Sequence, residues 1–283
     1  MRRAAEAIHV SQPAASAMLK EAEARLGVAL FHRHRTGVVP TAEAEPVLRR
    51  VRFLLGEVQG LTEDLLDSRR RRPLVRIGAV PHAMLGVMQE FAAHWSGKEG
   101  VRLRLEDGPT SALVEKLLRG DLDAIVAPLT PEAGPAFTSA VRSRPLYSES
   151  IVIAASVRNP LAKAKSVSLD DLEKADWVLP GPASRSKQAL EGEFLRLGRS
   201  PPLAAIDVTS FVYGLALVAQ TSMLTVAPST AVRGHENAGR VKRLATPLRF
   251  PPYAVHWITR RDSGANEVVG MMGAWLGKRK LDA

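Results

Sequence analysis

The 283-residue sequence contains no cysteine, which excludes disulfides, thiolate metal sites and cysteine nucleophiles. It has no apolar run of roughly 18 residues, the length a membrane-spanning helix needs. Its first residues, MRRAAEAIHV, lack the apolar stretch of a secretory signal. The seven histidines (His9, His32, His34, His82, His94, His235, His256) show no HExxH or related metal spacing, and no GxSxG, P-loop or GxGxxG motif occurs. The expectation from these absences is a soluble, cytoplasmic protein that is not an enzyme, with no catalytic residues, no metal and no cofactor.

What is present is ordinary globular material. Hydrophobic residues make up 46% and charged residues 24%, and the length suggests about two domains. Lysine and arginine outnumber aspartate and glutamate by 39 to 29, a net charge of +10. The excess is spread along the chain, +4 over residues 1–72 and +6 over residues 73–283. A basic balance favours a polyanionic partner, most commonly nucleic acid.

Residues 2–72 carry helical periodicity. Ala4, Ala5 and Ile8 form one apolar stripe. Val-Ser-Gln-Pro at residues 10–13 breaks it, and a second helix starts at Ser11, a good N-cap, with Pro13 early in its first turn. Gly27 is the natural stop. Val28 to Phe31 reads as extended, His32 to Gly37 as a basic loop, and Val38-Val39 as extended again, a small hairpin. Thr41 caps a helix from about Ala42 to Asp67, whose apolar residues Val47, Leu48, Val51, Leu54, Leu55, Val58, Leu61 and Leu65 recur at helical spacing. That stripe exceeds what its own small domain can cover, so a second copy of the chain is expected against it, the alternative being packing on the larger domain. Arg69-Arg70-Arg71-Arg72-Pro73 reads as a linker.

From Leu74 strands and helices alternate. Strands are expected at 75–80, 101–108, 124–129, 177–180, 205–209, 224–228 and 254–261, and RPLYSESIVIAAS (144–156) leads from one set to the next. Helices are expected at 82–95, 110–123, 168–175, 186–198, 211–220 and 266–279. This order implies parallel sheets with right-handed crossovers. Two such units joined by crossing strands leave a cleft at the carboxyl ends of their strands.

The helix–turn–helix at Arg2 to Gly27 has the dimensions of a DNA-reading motif, whose second helix enters the major groove by its N-terminal residues. Those residues are Ser11, Gln12, Pro13 and Ser16. Gln12 can pair with adenine and Ser16 can donate or accept. Lys20 suits a phosphate, and Arg33, His34 and Arg35 form a basic wing.

The stretch AAEAIHVSQPAASAMLKEAEARLGVALFHRHRTGVVPT carries the pattern AA-x-x-x-HVSQPA-x-S-x-x-x-K-x-x-E-x-x-LGV-x-LF-x-R-x-x-x-GV-x-x-T, and it resembles the winged helix-turn-helix of LysR-type transcriptional regulators. The long helix, linker and α/β region resemble the rest of that family in order and length, so the resemblance covers essentially the whole chain. It implies an α+β winged helix-turn-helix over residues 1–41, a linker and dimerisation helix over 42–72, and a two-lobed α/β effector-binding domain over 73–283. That domain is similar to the periplasmic binding proteins, with lobe I at about 73–147 and 247–283 and lobe II at about 148–246. By position the resemblance places Pro81 and His82, Thr110 and Ser111, Pro128, Pro180, Thr209, Ser210 and Phe211 around the effector. Thr110 and Ser210 stand at helix N-termini, whose free N–H groups and dipole suit a carboxylate, or they are plain N-caps. His82 either pairs with an anionic effector or caps a helix. Pro128 stands where some relatives carry an arginine, which disfavours a doubly charged effector. The resemblance implies a small-molecule effector (a carboxylate, an aromatic acid or a sugar), double-stranded DNA, a homodimer or homotetramer, and RNA polymerase as partners, with no membrane.

Two departures stand out. Ala17 occupies a place that is usually basic or polar, and the helix that usually precedes Arg3 has no counterpart, so the expectation is a motif short at its N-terminus. A solute-sensing module without effective DNA binding is the alternative.

Overall fold

The computed structural model of the protein describes residues 1–34, 37–48, 50–51, 54–55, 58, 74–96, 101–129, 134–182, 184–261 and 267–278. The chain divides into two compact units, the first built on Met1–Arg69 with Leu118–Asp121 and the second on Arg70–Leu117 and Leu122–Ala283.

The first unit opens with α1 (Arg2–Ala7) and α2 (Gln12–Leu26). The alanine-rich stretch stops because His9 turns left-handed at φ 54°, with Val10 N donating to Ala5 O at 3.0 Å and His9 N to Glu6 O at 3.2 Å. This is the hydrogen-bond pattern of a Schellman stop, built on a residue other than glycine at a cost of about 1 kcal/mol. Ser11 then caps α2, its hydroxyl accepting from Ala14 N at 3.3 Å, and Gly27 ends the helix at φ 69°.

A hairpin follows, β1 (Phe31–His34) against β2 (Gly37–Pro40), paired from Phe31↔Pro40 to His34↔Gly37. It corrects the expected boundaries, because His32, Arg33 and His34 lie in the strand and not in a loop. Glu23 is the cause. Its carboxylate accepts from Leu30 N at 2.8 Å and Phe31 N at 3.2 Å, so the chain stays tied to α2 until Phe31. Thr41 is buried, donates to Ala29 O at 2.9 Å and accepts from Ala44 N at 3.1 Å, and so starts the next helix. Residues 44–48 and the described residues from 50 to 58 are helical. The rest of the expected helix to Asp67, and the linker to Pro73, lie outside the described residues.

The second unit holds two five-stranded sheets. The first has the order β4-β3-β5-β12-β6, from β3 (Leu74–Ala79), β4 (Arg102–Asp107), β5 (Ala124–Pro128), β6 (Val141–Glu149) and β12 (Tyr253–Arg260). The second has the order β11-β7-β10-β8-β9, from β7 (Ile151–Ser156), β8 (Trp177–Pro180), β9 (Ala204–Val208), β10 (Leu224–Pro228) and β11 (Val241–Arg243). The helices on the first sheet are α3 (Pro81–Leu85), α4 (Val87–Trp95), α5 (Thr110–Arg119), α6 (Gly134–Ala140) and, after β12, α11 (Glu267–Gly277). Those on the second are α7 (Leu169–Lys174), α8 (Arg185–Arg196), α9 (Phe211–Val218) and α10 (Ser229–Asn237).

The sheets are mixed and not wholly parallel as expected. Strand β3 runs parallel to β4 and β5, and β8 to β9 and β10, each through a helical crossover. Strand β12 is antiparallel to β5 and β6, and β7 to β10 and β11. The antiparallel strands are those that carry the chain between the sheets, where no crossover helix turns it back. The expected helix at 82–95 is broken at Gly86, whose φ −115° and ψ −108° are not helical.

Each sheet is packed on both faces. Ile77, Met88, Phe91, Leu113, Leu117 and Ile125 are buried in the first lobe. Trp177, Leu179, Leu190, Phe194, Leu224 and Val226 form the main core of the second, with the Trp177 indole donating to Leu172 O at 2.9 Å. The buried Arg260 donates to Leu117 O and Leu122 O, both at 2.8 Å, and so pins the turn after α5. Among the described residues no helix is long and apolar enough to cross a membrane.

Gly273 lies on α11 where it meets the indole of Trp257, and a Cβ there would stand 2.6 Å from Trp257 Nε1. Overpacking of this kind costs about 1–3 kcal/mol and exceeds the roughly 1 kcal/mol that alanine adds in helix propensity. Gly273→Ala is therefore expected to lower the denaturant midpoint, and an unchanged or raised midpoint would show that the indole yields freely.

Candidate functional site

Two sets of side chains can do chemistry on a partner. The first lies on α2. Ser11, Gln12 and Pro13 are exposed in its first turn, with Ser11 at the N-cap. Gln12, half-buried Ser16 and exposed Lys20 stand at spacing of four, on one face. The backbone of Arg33 lies in β1 opposite Val38. Its side chain and all of Arg35 lie outside the described residues, so their expected phosphate contacts have no geometry here. Ile8 and Met18 are 56% and 54% exposed, which leaves apolar surface on α1 and α2 open.

The second set is drawn from both sheets of the second unit. Pro81 opens α3 after β3, and His82 beside it is buried. Thr110 is the first residue of α5, with Pro109 O accepting from Leu113 N, so Thr110 is inside the helix and does not cap it. Ser111 is exposed on the same turn. Pro128 and Pro180 end β5 and β8, both buried. Thr209 is exposed, and Ser210 caps α9 by accepting from Val212 N at 3.3 Å. Phe211, the first residue of α9, packs with Leu215, Ala227, Ala231 and Val232 in an apolar cluster.

The polar centre of this region is not among the residues expected from sequence. Glu149, at the end of β6, is fully buried. Its Oε1 accepts from Ser150 N at 3.0 Å, Ser229 Oγ at 2.7 Å and Thr230 N at 3.3 Å, and its Oε2 accepts from Thr230 Oγ1. Ser229 and Thr230 open α10, so a carboxylate from the first sheet closes the N-terminus of a helix on the second, where the helix dipole favours it. The signal available was the spacing of Tyr147 and Glu149, which puts both on one face of a strand. Nothing in the sequence pairs Glu149 with a serine and threonine some 80 residues later.

Three rings surround this carboxylate. His82 stands edge-on to Tyr253, with centroids 6.1 Å apart, and Tyr253 pairs with Glu149 across the sheet. Arg185, the first residue of α8, lies over the opposite lobe's Tyr253 ring at 4.8 Å from its centroid. His82 Nε2 and Tyr147 Oη are buried with no hydrogen-bond partner. Burial pushes the His82 imidazole down to about 4, the Glu149 charge works against this, and the Arg185 charge adds to it. Burial, then Glu149, raises the phenols of Tyr147 and Tyr253 above their usual range. His82 is therefore neutral near pH 7 and brings no positive charge to an anion. No group of three or more His, Cys, Asp or Glu among the described residues is placed to hold a metal.

Comparison with known proteins adds the following. Residues 1–45 match the family described as bacterial regulatory helix-turn-helix protein, lysR family, and residues 68–279 match the LysR substrate binding domain. The chain is similar to the HTH-type transcriptional regulator GalR of Pseudomonas putida, at 27% identity over 89% of this chain and 62% of that protein. It is also similar to GbpR of Azospirillum brasilense, at 27% identity over 92% of this chain and 77% of that protein. The chain thus spans less than two thirds of the first of these. Among solved structures, a full-length OxyR variant of Pseudomonas aeruginosa has the same fold, with a TM-score of 0.63 at 22% identity over 99% of this chain and 93% of that one.

The neutral His82 makes stability depend on pH. The unfolded chain takes up a proton on this side chain near 6.5 and the folded chain only near 4, so between these values the unfolded state holds more protons. Stability is expected to fall as pH drops from 6.5 toward 4, and His82→Asn is expected to flatten that fall. Urea unfolding at pH 4.5 and 7 measures it, and equal losses in both proteins would count against a buried neutral imidazole.

Proposed function

The chain belongs to the LysR family, and from that premise we propose that it is a DNA-binding transcriptional regulator whose hold on DNA is set by a small-molecule effector. Residues 1–41 serve as the winged helix-turn-helix, 42–72 as the linker and dimerisation helix, and 73–283 as the two-lobed effector domain. The observation that carries the DNA assignment is the first turn of α2, capped at Ser11 and presenting Gln12, Ser16 and Lys20 on one face. In this reading α2 lies in the major groove, Gln12 and Ser16 meet base edges, and Lys20 with Arg33 and Arg35 of the wing holds phosphates.

The exposed side chains of Val47, Val51, Leu54, Leu55 and Val58 support pairing through this helix. Apolar groups spaced this way are stabilised by a second copy of the same helix. The assembly is a homodimer or a homotetramer, acting in the cytoplasm and addressing RNA polymerase from the bound site.

The effector site is the cleft between the lobes. In this reading Pro81, His82, Thr110, Ser111 and Pro128 line it from the first lobe, and Pro180, Thr209, Ser210 and Phe211 from the second. A ligand that touches both lobes stabilises one spacing between them, and the difference in affinity for the two spacings sets how far DNA binding shifts.

Mobility shift on the intergenic DNA upstream of its gene tests the DNA half of this reading. Gln12→Ala is expected to cost about 1–3 kcal/mol and to relax the preference at one base position. Lys20→Ala is expected to weaken binding to every sequence and to lower the slope of log K against log salt by about 1. Failure of the wild type to retard any DNA would leave the solute-sensing alternative.

A further inference from the structure

The second lobe carries a basic surface that neither the DNA-reading helix nor the cleft uses. It forms where the segment after β7 runs past the edge strand β11, bonded to it near both ends. Val157 N donates to Arg240 O at 3.2 Å, and Val167 N donates to Ala245 O at 2.8 Å. Between these points the buried Asn159 shapes the chain. Its Oδ1 accepts from Leu161 N at 2.8 Å and opens the 3₁₀ turn Pro160–Lys163, while its Nδ2 donates to Ser222 O at 2.5 Å. The Lys242 ammonium donates to Ala162 O at 2.7 Å and ties β11 to that turn. These bonds gather Arg158, Lys163 and Lys165 from one segment with Arg240 and Lys242 from the other, all five exposed.

The acids that could neutralise them are absent or already held. The sequence has no aspartate or glutamate from Ser150 to Leu169, and none from Asn237 to Arg261. Asp170 and Glu173 accept from Arg199, Glu236 accepts from Arg243, and Asp171 accepts from the Ser168 hydroxyl. Arg158, Lys163, Lys165 and Arg240 form no ion pair among the described residues. Positive charge gathered on one ordered surface creates a field that attracts a polyanion.

The make-up of the surface selects among polyanions. Protein interfaces are anchored by aromatic side chains and are poor in lysine. No Phe, Tyr or Trp occurs from Ser150 to Leu169 or from Asn237 to Arg249. Lysine and arginine without such anchors suit phosphates, which are met through charge alone.

We propose that this face of the second lobe holds the phosphate backbone of double-stranded DNA, outside the base pairs that α2 reads. A duplex bound by α2 presents its further phosphates to the rest of the chain at high effective concentration. The surface then adds affinity and salt dependence but no base preference. This rests on the reading of the chain as a DNA-binding regulator.

Equilibrium binding of the full-length chain to a duplex of about 60 base pairs from the upstream intergenic DNA tests it, followed over a range of salt. The double variant Lys163→Gln, Lys165→Gln should unfold at the wild-type temperature and bind roughly tenfold more weakly at about 0.1 M salt, with the slope of log K against log salt lowered by about 1–2. Its preference for that duplex over one of scrambled sequence should match the wild type's. Lys163→Arg with Lys165→Arg should keep the wild-type slope. An unchanged slope in the double variant, or a changed preference between the two duplexes, overturns the proposal and leaves the regulator reading standing. An equal loss from Arg142→Gln with Arg261→Gln, both exposed on the first lobe, overturns it in the same way, because net charge alone would then account for the effect. Loss of poly-L-glutamate binding in the double variant with the DNA slope unchanged overturns it too and assigns the surface to an acidic protein. Failure of the wild type to bind any duplex removes the regulator reading and the proposal with it.

Discussion

The second unit depends on one buried carboxylate. Glu149 ends a strand of the first sheet and closes the N-terminus of α10 on the second, through Ser229, Thr230 and the backbone N–H of Ser150. A fully buried carboxylate is costly unless its oxygens are satisfied, and four donors from two sides satisfy these. The interaction fixes where the chain crosses between the sheets, because Ser150 is the single residue separating β6 from β7. It also seats α10 against the first lobe, where Thr230 lies next to Gly86 at the break between α3 and α4.

The electrostatics around the junction of the two sheets follow from the same group. Burial, with the Glu149 charge beside it, keeps the tyrosines protonated, and burial keeps the His82 imidazole neutral against that charge. Positive charge comes from the other lobe, where the Arg185 guanidinium lies over the Tyr253 ring.

Much of this architecture is legible in the sequence, and the exceptions have physical causes. Strand LTVAP at 224–228 and the start of α5 stand where the sequence puts them, because apolar residues recur there at the right period. Helix α10 escapes a reading by periodicity because STAVRGHEN buries only a short apolar set, with Ser229 buried for a polar reason. The three-residue β11 is too short to show alternation. The break at Gly86 hides inside a continuous apolar pattern. On the first unit, the Schellman stop at His9 puts a left-handed turn on a residue that does not advertise it, and Glu23 shifts the hairpin by holding the backbone of Leu30 and Phe31. Pro81, Pro128 and Pro180 stand at the element ends where the strand pattern puts them. The partners of Glu149, Tyr147, Arg185 and Tyr253 are not legible in this way, since a charged or aromatic residue in the sequence does not say which distant groups it will meet.

The central claim is that the Glu149 carboxylate ties the two lobes together. Thermal unfolding of full-length wild type and Glu149→Gln at pH 7 tests it most directly. The amide keeps the size of the side chain but offers N–H where the helix N-terminus presents donors, and hydrogen bonds to a charged group contribute about 1.5–3 kcal/mol each. At about 2–4 °C per kcal/mol for a chain of this size, the midpoint of the variant is expected to lie several degrees below the wild type's. A midpoint equal to the wild type's would contradict the claim.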